Sequence, residues 1–96
     1  MPRTTTPVAP ITATIIDPSG MVTEATPAHA HGKWAFSDFQ SLVGGYVEVV
    51  RLDKSKVALV NEDGLALGLA PNPTASALLG IPLVGTVVVV PAKALR

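Results

Sequence analysis

The 96 residues include seven basic and seven acidic side chains, so the formal net charge is zero; 48% of the chain is hydrophobic and 15% charged. This is enough apolar material for one packed core and too much for a disordered chain. The charge balance argues against general nucleic-acid binding, which draws affinity from a basic excess, and the absence of cysteine excludes disulfides, thiolate nucleophiles and cysteine-based zinc sites. The apolar run around Val87–Val90 is too short to span a bilayer, and residues 1–10 lack the apolar core of a signal peptide. A cytoplasmic protein with no membrane partner is the expectation. So few charges cover the surface poorly, which favours a homodimer.

Residues 1–10 read as an extended tail, because three prolines and three threonines favour neither helix nor ladder. A single α+β domain is expected over 11–91, followed by a short tail over 92–96. Ile11–Asp17 is β-branched and reads as a strand; Asp17-Pro18-Ser19-Gly20 fits a type I turn, and Met21–Ala25 a short returning strand. Ser37 with Gln40 fits a capping box, and Phe39, Leu42 and Val43 give one apolar helical face. That spacing predicts a helix over Asp38–Val43, ended by Gly44.

Tyr46–Leu52 and Lys56–Asn61 form a hairpin around Asp53-Lys54-Ser55, and Asn61-Glu62-Asp63-Gly64 is a further turn. Leu65–Leu69 alternates and is taken as another short strand. Asn72, Pro73 and Gly80 mark a second helix as cap, first-turn proline and terminal glycine. Thr86–Val90 is uniformly β-branched, as a strand covered on both faces or at an interface would be, and Pro91 stops it. The expected architecture is a mostly antiparallel sheet of four to five strands with two short helices packed on one face.

Few residues suggest chemistry. His29 and His31 share one side of an extended segment and would need a carboxylate such as Asp17 or Glu24 to hold a metal; two solvated imidazoles are the better reading, and no metal or cofactor is expected. No Gly-x-Ser-x-Gly elbow occurs. Arg51, Lys54 and Lys56 read as a solvated hairpin end. Gly44-Gly45 follows a helix C-terminus, where the dipole has the wrong sign for an anion, so a helix stop is the better reading. Alternation sets Tyr46, Glu48, Val50 and Leu52 on one strand face and Val47, Val49 and Arg51 on the other. Either the first face is core and Glu48 must be paired or hydrated, or Val47 and Val49 face the core and Tyr46 with Glu48 lines the surface. Asn61 and Glu62 suit a turn and Asn72 a cap, yet they gather polar groups near one strand pair.

The blocks Leu42-Val43-Gly44-Gly45-Tyr46-Val47-Glu48, Asn61-Glu62-Asp63-Gly64, Leu69-Ala70-Pro71-Asn72 and Val84-Gly85-Thr86-Val87, in this order, resemble the family called domain of unknown function 3846. The resemblance covers roughly residues 11–90. This chain is shorter than the family's pattern between its second helix and last strand. The resemblance implies Gly44, Gly45, Tyr46, Glu48, Asn61, Glu62, Gly64 and Asn72 as signature positions. It implies no activity, but a setting in phages, plasmids and actinobacteria.

Three functions compete. A non-enzymatic binding module for a small ligand or host protein leads, resting on ligand-binding candidates Gly44, Gly45, Tyr46, Glu48, Asn61, Glu62 and Asn72. The alternative is a structural subunit of a larger particle. A hydrolase-type enzyme with Glu48 or Glu62 as base ranks last, since no partner acid or cofactor motif accompanies them.

Overall fold

A computed structural model describes residues 11–29 and 32–95. The tail over 1–10 and His31 lie outside the described residues. Five antiparallel strands form one sheet: β1 (Ala13–Ile16), β2 (Val22–Ala25), β3 (Val47–Arg51), β4 (Lys56–Asn61) and β5 (Val87–Pro91), in the order β2-β1-β5-β4-β3. Helix α1 (Phe36–Val43) lies between β2 and β3 in the chain, and α2 (Pro73–Leu79) between β4 and β5. A 3-10 turn, Ala92–Leu95, follows β5 and buries Ala94 where a short tail was expected.

The α+β class and the antiparallel sheet are as expected. The valine run explains β5's central place: it pairs with β1 on one side and β4 on the other, and Val87, Val88 and Val90 are buried. β-Branched side chains pack well on such a doubly covered strand.

The helices do not share a face. Phe39 and Val43 of α1 pack against Ala13, Val57, Leu59, Val88 and Val90. Ala75 of α2 packs instead against Ile16, Ala58, Val60 and Val87. These two sets alternate along each strand, so α1 and α2 cover opposite sides of the sheet. Every inner strand is therefore apolar at successive positions, as in the Val57–Val60 run of β4, where all four residues are buried.

Helix α1 starts two residues before the expected Asp38, and Ser37 with Gln40 is not its cap. The Asp38 carboxylate accepts the backbone N–H of Ala35 at 2.8 Å. Trp34 fixes the approach to the helix: its Nε1 donates to the Ile11 carbonyl at 2.6 Å, and its ring stacks on Phe39 with centroids 5.2 Å apart. The bond to Ile11 ties the entry of the helix to a residue 23 positions back, and the Asp38 bond sets its start at Phe36. The helix ends at Gly44, whose φ of 80° suits glycine.

Leu65–Leu69 is not a strand. The Asn61–Gly64 turn runs on into helical turns, with Leu67 N–H donating to the Asp63 carbonyl at 2.8 Å and Leu69 N–H to Gly64 at 3.0 Å. Leucine and alanine favour such turns over extended backbone, and among the described residues no neighbouring strand offers a ladder there. Leu65 and Leu67 are left 84% and 62% exposed.

Candidate functional site

The side of the sheet that carries α2 is only partly covered. Helix α2 sits over Ile16, Ala58 and Val87, towards the middle of the sheet, and leaves the β3–β4 end open. The result is a groove of about 1150 Å3. Its floor is Val50, Val60, Leu83 and Val84; one wall is Ser76 and Ala77 of α2 with Gly80–Pro82, and the opposite rim is Glu48 with Asn61, Glu62 and Leu65.

Two local devices build these walls. Asn72, fully buried, caps α2 by accepting the Ala75 N–H at 3.0 Å, while its Nδ2 donates to the Ile16 and Gly85 carbonyls at 2.9 Å each. One side chain thus pins the helix to β1 and to the loop before β5, and its own N–H donates to the Leu83 carbonyl at 2.9 Å. That bond and the Pro71–Val84 bridge hold the 83–85 segment as the groove's far end. Buried polar groups left unpaired would be costly, and among the described residues every buried side-chain nitrogen and oxygen has a partner.

Asn61 is the second device. It is buried; its Oδ1 accepts the Asp63 N–H at 2.8 Å to form the turn, and its Nδ2 donates to the Val43 carbonyl at 3.2 Å. A side chain at residue 45 would place Cβ 2.8 Å from that Nδ2, so Gly45 is the close approach that lets Asn61 reach α1.

The candidate residues therefore fall into two groups. Gly44, Gly45 and Asn72 hold the framework and do not line the groove, whereas Glu48, Asn61 and Glu62 line it. Both sequence-level alternatives for β3 hold in part. Val47 packs towards the α1 core, and Glu48 lies exposed on the opposite side beside Val50, which packs with the α2 core. Tyr46 shares the Glu48 side by alternation, is 67% exposed, and accepts the Glu62 N–H on its carbonyl at 2.8 Å. In that register Glu48 stands opposite Val60 and Tyr46 opposite Glu62, which makes the two glutamates diagonal neighbours on one face. Among the described residues no lysine or arginine lines the groove.

His29 is remote from this site. Its Nε2 lies 2.9 Å from Asp38 Oδ2, at the start of α1. Among the described residues no group of three or more His, Asp or Glu side chains is placed to hold a metal, and no helix is long and apolar enough to cross a membrane. The apolar lining was missed in sequence because it comes from β3, β4, α2 and the 81–84 loop together. The alternation of Glu48 and Val50 was its one local signal.

The profile of the family described as Domain of unknown function (DUF3846) matches residues 11–94. The chain belongs to this family. Curated proteins and solved structures give no match. The DUF3846 match spans all five strands and both helices, so the groove and the two asparagine pins lie within the domain itself.

Proposed function

We propose that this DUF3846 domain is a non-enzymatic binding module, and that the groove between β3–β4 and α2 is where it binds. The observation that carries the reading is an open groove of about 1150 Å3 with an apolar floor and few polar groups at its rim. Ligand sites have this make-up, with apolar area supplying affinity and a few polar groups orientation. A catalytic reading has less support: neither Glu48 nor Glu62 has a side-chain hydrogen-bond partner among the described residues that would position it as an acid or base. A cytoplasmic accessory role in a phage or mobile element, binding a small ligand or a host protein rather than nucleic acid, fits this reading by analogy only.

The test uses Nile red, a neutral apolar dye, with the full chain. The dye brightens on binding the groove, and Ala77→Trp, which fills it from an exposed helix position, weakens binding at least about fivefold while leaving the melting temperature unchanged. Equal binding by wild type and variant contradicts the proposal.

A second reading, self-association or assembly into a larger particle, rests on Leu65, Leu67 and Leu78, which are 84%, 62% and 67% exposed. Native mass spectrometry tests it: a dimer or larger assembly that Leu65→Ser with Leu67→Ser disperses supports assembly, and a monomer of both proteins counts against it.

A further inference from the structure

The groove has an open flank as well as an open top. Among the described residues β3 ends the sheet, bonded only to β4. Glu62 N–H donates to Tyr46 and Leu52 N–H to Lys56, so the even-numbered residues from 46 to 52 are those that bond β4. In an antiparallel ladder the intervening residues then turn their N–H and C=O groups outward. Val47, Val49 and Arg51 thus present a row of main-chain donors and acceptors along the edge, and that row adjoins the groove. Glu48 and Val50, between them, point to the groove side.

The charges at this corner are one-sided. Glu48 and Glu62 are diagonal neighbours on the same face, both are exposed, and Tyr46 stands beside them. Like charges so placed repel, and a cation between them relieves the repulsion. An exposed tyrosine ring adds a further attraction for a cation.

We propose that the occupant is an extended polypeptide segment of a partner protein, basic at one position and apolar two residues away, which adds as a sixth strand to the β3 edge. Its main chain bonds Val47, Val49 and Arg51; its lysine or arginine meets Glu48 beside Tyr46; its apolar side chain passes over Val50 into the groove. The outward main-chain row favours a polypeptide over a small organic cation, because only another strand uses all of it. This rests on the groove being the binding site and adds the occupant's chemistry and direction of approach.

The experiment titrates the full chain with a short synthetic peptide, Thr-Thr-Lys-Thr-Val-Thr-Thr, in which lysine and valine two residues apart share one face of a strand, followed by fluorescence anisotropy and by amide shifts in NMR. The same peptide with glutamate in place of lysine and a copy of the first peptide N-methylated at alternate backbone nitrogens serve as comparisons. The lysine peptide binds and shifts the amides of Val47, Val49 and Arg51; backbone methylation abolishes binding. Glu48→Lys weakens it about fivefold or more at low salt and improves the glutamate peptide. Val49→Pro, which removes only an outward N–H on an edge strand, blocks binding without lowering the melting temperature by more than a few degrees. Binding indifferent to peptide charge or to methylation overturns the proposal, as does no binding at all. If Nile red still binds the groove in that case, the groove reading stands and only the strand-adding partner is lost. Edge shifts that grow with protein concentration in the absence of peptide also overturn it, in favour of a second copy on β3.

Discussion

The two sides of the sheet differ in how completely they are covered. On the α1 side, Phe39, Val43, Trp34 and Ala94 pack over β1, β5 and β4, and Val47 of β3 joins the same cluster. On the α2 side the helix reaches Ile16, Ala58 and Val87, while Val50 and Val60 are left lining a groove. The α1 helix carries two buried side chains, including an aromatic one, whereas α2 buries only Ala75. A helix that buries an alanine and only partly buries Leu79 covers little area, so apolar sheet remains open beside it. The first side thus serves stability and the second has room for a partner.

Substitutions separate the two sides, and the largest effect belongs to the α1 side. Phe39→Ala removes a ring that is 1% exposed and stacked on Trp34, and costs about 3–5 kcal/mol in chemical denaturation. Next come the pins that support the groove. Asn72→Ala loses a helix cap and leaves the Ile16 and Gly85 carbonyls without their donor, at about 2–3 kcal/mol. Asn72→Asp keeps the cap but turns a carboxylate towards those two carbonyls, and is less stable than the alanine variant at neutral pH. Alanine matching or exceeding wild type here would remove Asn72 from its place as the pin.

Smaller effects follow. Gly45→Ala drives a Cβ against Asn61 and costs about 1–2 kcal/mol, much of it lost again if Asn61 is also truncated, a coupling that a double-mutant cycle reads directly. Tyr46→Ala and Glu48→Ala, on the exposed groove side, change stability by less than about 0.5 kcal/mol. A large loss at either would make it structural. Smallest is the β3–β4 turn. There the hydrogen bonds from Ser55, and then from Lys56, hold the Asp53 carboxyl below the ordinary carboxylate range. A depressed folded-state pKa contributes stability above the unfolded value of 3.8 that is lost as pH falls through the folded one. Asp53→Ala therefore narrows the gap between wild type and variant only in the acid limb of a pH–melting profile.

The same contrast marks what the sequence made legible. α2 was readable because its signals are local: Asn72, Pro73 and Gly80 sit within or beside the helix they delimit. The hairpin over β3 and β4 was readable for the same reason, with Asp53 gathering the turn's N–H groups. The start of α1 was not, because the chain entering it is held by the bond from Trp34 to the Ile11 carbonyl, 23 residues away, and because its N-cap, Ala35, has no capping side chain. Leu65–Leu69 departs from the expected strand because alternating leucine and alanine fits an exposed helical turn as well as a strand, and among the described residues no neighbouring strand is there to pair it. Placing both helices on one face failed for a related reason. Alternation sorts β4 into Val57/Leu59 and Ala58/Val60, but both sets are apolar, so neither was marked as the outer side. Glu48, Asn61 and Glu62 were legible as candidates, whereas their apolar floor was assembled only by the fold.

Amide chemical-shift mapping of the full chain titrated with Nile red tests the division between the two sides most directly. The account predicts shifts at Val50, Val60, Ala77, Leu83 and Val84, with Trp34, Leu42 and Val47 on the opposite side unmoved. Shifts centred on Trp34, Leu42 and Val47, or spread evenly over both sides, would contradict it.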